Sequence, residues 1–316
     1  MGVSIKIQNL KSKIEMTIDL RSPNFGEQRD WIWRGWPTRY SFLRAASSGD
    51  DRPPTILLHG FGLSSGHWRY NMEPLSDRRT VYALDLLGFG GSAKVLTAYS
   101  IAFWVEQVYE FWRTFVRRPV VLAGHSIGSL VVVAAAATYP EMVSHAVMVS
   151  LPDLELRQES IPRPLRGPVA LLERLFASPL LLRPAFYFLR DPARLRPWLQ
   201  IAYANADRVD DALIDIVAVP TRDRGAAATF VRLFRDLLSP HFCPSIRELL
   251  PQVRSPMLLF WGDRDRMVPP QLARPDRFRD YNPDLELHIV ENAGHCPHDE
   301  CPDRFNAALL AWLDRP

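Results

Sequence analysis

Only three cysteines, Cys243, Cys296 and Cys301, occur in the 316 residues. An odd number, two of them close to the C-terminus, makes no disulfide framework and points to a reducing compartment. Lysine stands only at positions 6, 11, 13 and 94, so the net charge of +3 rests on dispersed arginines. That balance is too mild and too scattered for a nucleic-acid binder. No apolar run reaches the roughly 18 residues of an ordinary membrane-spanning helix. The opening MGVSIKIQNLKSKIEMTIDL lacks the continuous apolar stretch of a secretory signal. Lys6 also stands where a myristoylation signal on Gly2 wants Ser or Thr. Internal repeats and low-complexity tracts are absent. The expectation is a soluble, cytoplasmic protein, peripheral on a membrane at most.

What is present is an ordinary globular composition, 47% apolar and 23% charged, enough for a large core without disulfides. The alternations Ile14, Met16, Ile18, Leu20 and then Trp31, Trp33, Tyr40, Phe42 predict edge strands of antiparallel character. After Pro53-Pro54 the texture changes to short continuous apolar runs at 55–60, 81–88, 119–124, 145–150, 256–262 and 285–294. Continuous runs mean burial on both faces, the pattern of a parallel sheet between helix layers. Helices are predicted over 100–117, 127–139, 271–281 and 302–314. Between 152 and 197 lie eight prolines, which cut helices into brief pieces. The segment 152–250 therefore reads as a helical lid inserted into a core made of 1–151 and 251–316.

The stretch VVLAGHSIGSL, 120–130, runs an apolar strand into Gly124-His125-Ser126-Ile127-Gly128 and then into a helix. A serine on so sharp a strand-to-helix turn sits in a strained backbone, and the residues two before and two after it must be tiny. The helix that starts there turns its free N–H groups and positive end toward the site. A serine hydroxyl is a poor nucleophile and needs a base, which in turn needs an orienting acid. Downstream, LLFWGDRDRMVP places acids after one buried strand, and LHIVENAGHCPHDE places His295 after the next.

These motifs together resemble the α/β-hydrolase fold over nearly the whole chain. LLHGFGLSSGHW is similar to the oxyanion loop, ALDLLGFGGS to the Asp-x-x-Gly-x-Gly-x-Ser turn, and GHSIG to the nucleophile elbow. GDRDRMVP resembles the acid loop and NAGHCPHDECP the histidine loop. The resemblance implies a mostly parallel eight-stranded sheet with helices on both faces and an inserted helical lid. It implies Ser126 as nucleophile, His295 as general base and then general acid, and Asp265 as the acid, with Asp263 the competitor. It assigns the oxyanion donors to the backbone N–H groups of Phe61 and Ile127, and to His59 and Asp85 the holding of loops. Serine at the elbow, where epoxide hydrolases and haloalkane dehalogenases carry Asp, implies acyl transfer from an ester.

HCPHDEC also offers His295, Cys296, His298 and Cys301 as a zinc set, but the spacings are too tight for the usual ligand pairs. No metal and no cofactor is expected, and His298 reads as a structural residue at a helix entry. The lid, rich in Leu, Phe and Pro, is expected to line an apolar pocket, with Phe186 and Phe188 touching a long chain and arginines outside toward anionic surfaces. WIWRGWPTRYSF with the two motifs after it is similar to the pheophytinase and chlorophyll dephytylase branch. That resemblance implies a phytyl ester of chlorophyll or pheophytin as substrate and a thylakoid surface as location. The alternatives are a carboxylesterase or lipase on another long-chain ester, or a non-catalytic lipid- or pigment-binding protein.

Overall fold

The structure, a computed structural model, describes residues 24–46, 52–156 and 161–315. The strand expected at Ile14–Leu20 and the Gly2 lipidation position lie outside the described residues. Eight strands form one sheet in the order β1-β2-β4-β3-β5-β6-β7-β8. They are β1 (Glu27–Trp33), β2 (Trp36–Leu43), β3 (Thr55–Leu58), β4 (Val81–Leu84), β5 (Val120–His125), β6 (Val143–Val149), β7 (Met257–Gly262) and β8 (Leu285–Val290). The β1–β2 and β2–β4 pairs are antiparallel and the other pairs parallel. The hairpin turns through Arg34 and Gly35, both at positive φ (52° and 85°), as a two-residue turn matched to strand twist requires. Trp33, Tyr40 and Phe42 point into the core from it.

β3 and β5 are buried at every residue, as continuous apolar strands between two helix layers must be. Helix α1 (Ile101–Phe115) is capped by Ser100, whose hydroxyl accepts from the Phe103 N–H at 3.1 Å. Helix α2 (Ile127–Thr138) is apolar nearly all round and buried, packing against α1, β5 and β6.

Between β6 and β7 the described residues form helices and connecting turns, with no strand among them. Helices α3 (Arg166–Phe176), α4 (Pro179–Leu189), α5 (Pro192–Ile201), α6 (Asp211–Ala218) and α7 (Ala226–Leu237) follow one another. The prolines cut this segment as expected, with Pro179 and Pro192 opening helices at their first turn, where no N–H is needed. Pro184 and Pro197, however, lie inside α4 and α5.

The helix expected over 271–281 is a correction. Two single turns, Pro270–Ala273 and Phe278–Tyr281, flank a 3-10 turn at Pro275–Arg277. Arg274 takes a left-handed φ of 48°, and Pro275 has no N–H with which to continue a helix. The helix expected over 302–314 is present as α8 (Pro302–Leu313), and it packs against β7 and β8.

Candidate active site

Ser126 ends β5 and starts α2 with φ 52° and ψ −113°, outside the ordinary regions for a residue with a Cβ. The two glycines of the motif make this turn possible. A Cβ on Gly124 would lie 2.3 Å from the Gly128 backbone, and one on Gly128 would lie 2.6 Å from the Leu58 carbonyl oxygen. The Ser126 N–H donates to the Val149 carbonyl at 2.8 Å, which pins the elbow to β6.

His295 and Asp265 meet as the motif order implies. His295 Nδ1 donates to Asp265 Oδ2 at 2.7 Å, and both side chains are buried. The other carboxylate oxygen accepts from the Met267 and Val268 N–H groups, each at 2.8 Å, so the acid's orientation is fixed by its own loop. Asp263 faces elsewhere, accepting from the Ala293 N–H at 3.3 Å. With Nδ1 engaged, Nε2 is the nitrogen of His295 left for a substrate or a hydroxyl. The residue next to the serine reaches this histidine directly. His125 Nε2 donates to the His295 carbonyl at 3.0 Å, and the two ring centroids stand 5.0 Å apart.

The Phe61 and Ile127 N–H groups, expected as oxyanion donors, donate to no acceptor among the described residues. The loop that carries Phe61 is tied down by Asp85, whose carboxylate accepts from the Ser65 and Gly91 N–H groups, both at 2.6 Å. His59 donates from Nδ1 to the Gly60 carbonyl and accepts at Nε2 from the Leu86 N–H. Beside Phe61 opens an apolar cavity of about 360 Å³, walled by Leu63, Phe89, Phe186, Leu199 and Phe230. Phe188, expected beside Phe186, does not line it. Its ring is exposed and carries the Arg194 guanidinium 4.0 Å above it.

Sequence reading missed the network behind His295. The Tyr203 hydroxyl donates to Asp299 Oδ2 at 2.8 Å, because a carboxylate can only accept. The tyrosine oxygen therefore accepts from His67 Nε2 (3.1 Å), and His67 Nδ1 accepts from His298 Nε2 (3.1 Å). The chain ends on Arg69, which holds Asp299 at 2.7 Å and Asp210, at the start of α6, at 2.7 Å. The backbone adds a direct tie, since the His295 N–H donates to the Ala202 carbonyl at 2.7 Å. Burial pushes the His67 imidazole down to about 4 and drives His125 and His298 well below the ordinary histidine value. Burial likewise drives the Cys296 thiol well up, away from the thiolate. No sequence signal marked Ala202, which acts through its backbone, or Tyr203, 96 positions from its partner.

Of the residues that the sequence offered as a zinc set, only His298 falls in the cluster whose ligating atoms converge. His67, His125 and His298 bring ligating atoms within 4.8 Å of one another. His295 is committed to Asp265, and the Cys301 sulfur accepts from Arg304 at 2.9 Å.

Comparison with known proteins fits this geometry. The chain is 28% identical over 269 residues, 84% of its length, to a Pseudomonas putida protein, the dihydrolipoyllysine-residue acetyltransferase component of an acetoin cleaving system. It is 25% identical over 321 aligned positions, 87% of its length, to chloroplastic pheophytinase of Arabidopsis thaliana. The chain spans 64% of the length of each of these relatives. Among solved structures, a serine hydrolase involved in carbazole degradation superposes with a TM-score of 0.72 at 22% identity, covering 91% of this chain and 98% of that one. The model of the alpha/beta hydrolase family matches residues 55–308, and the chain belongs to that family.

Proposed function

We propose that this hydrolase cleaves a long-chain carboxylic ester through an acyl-enzyme on Ser126. The observation that carries the reading is the placement of three things: the strained serine, the 2.7 Å His295–Asp265 pair and the apolar cavity that begins at Phe61. In this mechanism His295 Nε2 takes the Ser126 proton as Oγ attacks the ester carbonyl carbon. The oxyanion that forms lies against the Phe61 and Ile127 N–H groups, each contributing about 3–4 kcal/mol to the transition state. The tetrahedral species collapses, the alkoxide leaves with the proton from His295, and the same base then activates water to free the acid. Asp265 keeps Nδ1 protonated and stabilises the transient imidazolium.

Within this class we favour a phytyl ester, with chlorophyll or pheophytin as the chlorin. The Trp-Ile-Trp-Arg-Gly hairpin and the likeness to the plant pheophytinase over 87% of the chain support it. The cavity is apolar enough for an isoprenoid chain, each buried CH₂ of which contributes about 0.8 kcal/mol. The helices α3–α7 act as the lid over it.

A fluorophosphonate probe and a substrate panel test the proposal. The probe should label the wild type and not Ser126→Ala, which should lose on the order of a million-fold in turnover. Unlabelled wild type would end the serine-hydrolase reading. Turnover of p-nitrophenyl decanoate without any release of phytol from chlorophyll a or pheophytin a would end the phytyl reading alone.

A further inference from the structure

The face that α3, α4 and α5 leave open to water is unusually apolar. Phe176, Leu180 and Trp198 are 60%, 85% and 60% exposed, and Leu175, Leu181 and Phe188 are more than half exposed. Monomers rarely leave apolar patches larger than a few hundred Å² open to water. Charge on the same segment has one dominant sign. Between 161 and 201 the sequence carries Arg163, Arg166, Arg174, Arg183, Arg190, Arg194 and Arg196 against Glu173 and Asp191.

A recess of about 410 Å³ opens beside α4, lined by Arg183, Arg190, Arg222 and Arg224. Among the described residues none of these guanidinium groups meets a carboxylate, and Asp223 in the same recess is taken by Lys94 at 3.1 Å. The recess shares Phe186, Arg190, Thr221 and Ala226 with the wall of the apolar cavity. Trp198 lines that cavity and is also 60% exposed.

We infer that this face docks on an anionic lipid bilayer, with apolar side chains entering the interface and the arginine recess seating a lipid phosphate. Apolar tips ringed by arginine match a surface that is oily below and negative at its headgroups. Arginine suits phosphate because its planar fork can bond two oxygens at once. Charge disfavours two other occupants. A second copy would bring an equally basic face, and residues 1–23, with Lys6, Lys11, Lys13 and Arg21 against Glu15 and Asp19, are basic too. Docking rests on the ester-hydrolase reading only for its purpose, which is to bring the cavity to esters dissolved in the bilayer.

The test is flotation of the full chain with vesicles of phosphatidylcholine alone and of phosphatidylcholine with about one-third phosphatidylglycerol. It is run on wild type and on Ser126→Ala, so that its outcome is independent of hydrolysis. Both proteins should bind the anionic vesicles, release from them as salt rises, and bind the neutral ones weakly. Each arginine at such a surface is worth about fivefold, so Arg183→Gln/Arg222→Gln/Arg224→Gln should weaken binding by about a hundredfold. Leu180→Ser should weaken binding to both kinds of vesicle. An unchanged melting temperature certifies that the variants fold. Equal binding to the two vesicle types, or indifference to the three arginines, overturns the proposal. So does competition by inorganic phosphate alone at matching concentration, which would mark a free-phosphate site. Absence of vesicle binding together with concentration-dependent dimers that Leu180→Ser dissolves would assign the face to a second copy and overturn it as well.

Discussion

Asp265 and Asp263 are two residues apart and equally acidic, yet their neighbours divide the work between them. Asp265 spends one oxygen on two backbone N–H groups and the other on His295, whereas Asp263 only braces the Ala293 N–H. Asp265→Asn should therefore cost about ten-thousand-fold in kcat, because an amide at that position favours the wrong imidazole tautomer. Asp263→Asn should cost less than tenfold, the loss of one long hydrogen bond to a loop. A reversed ranking in steady-state kinetics would move the acid to Asp263. The elbow glycines allow an equally sharp test. Gly128→Ala pushes a methyl group to 2.6 Å from the Leu58 carbonyl, in backbone that has no flexible end to yield. It should lower both melting temperature and probe labelling, whereas Ser126→Ala lowers labelling alone. These residues were legible in the sequence because their constraint is local: the tightness of one turn dictates Gly124 and Gly128. The partners of His67 were not legible, since Tyr203 comes from 136 positions away and His298 from 231. Nothing near residue 67 encodes that meeting.

Sheet strands and three of the four expected helices announced themselves at the scale of the element, because period and punctuation are local there too. The parallel run from β3 to β8 follows from continuous apolar stretches, and the antiparallel edge strands from the alternation Trp31, Trp33, Tyr40, Phe42. The segment 271–281 was misread because Arg274 carries no sign of its left-handed backbone and Pro275 is tolerated at the start of a new turn. The orientation of α4 was equally hidden. Phe186 and Phe188 differ by two positions, about 200° around a helix, so they cannot share a face. Phe186 packs against Phe230 with ring centroids 5.1 Å apart, and Phe188 points to solvent. Phe186→Ser should thus lower kcat/KM for p-nitrophenyl decanoate by at least tenfold relative to the butyrate, from roughly 2–3 kcal/mol of lost apolar contact. Phe188→Ser should leave that ratio within twofold. Equal effects at both positions in a chain-length series would mean that the cavity is not where the chain binds.

The helices between β6 and β7 and the sheet act together at the scale of the whole molecule through buried groups that tolerate only one protonation state. His59, His67, His125 and His298 are all buried, and burial lowers the affinity of each for a proton. In the unfolded chain each takes a proton near the ordinary value of about 6.5. The folded chain binds fewer protons than the unfolded one below that value, so stability must fall as pH falls. Above about pH 7 both states are neutral and the stability is complete. For His67, whose folded value is about 4, the loss should run from pH 6.5 down to that point and then level off. That single group accounts for about 3 kcal/mol over the window. His125 and His298, also driven well below the ordinary value by burial, add to the same decline. Protonating His67 would also put a proton on Nδ1, the nitrogen that accepts from His298, and break that link of the network through which Arg69 joins the His295 loop to α6. Urea midpoints should be flat from about pH 8 to 7 and then drop steeply, with more than one proton taken up on unfolding near pH 5. His67→Gln, which removes one titrating group but keeps a donor toward Tyr203, should be less stable at neutral pH and lose stability less steeply with acid. Midpoints that stay constant down to about pH 5 would show that these histidines are reached by water and hold their protons in the folded chain.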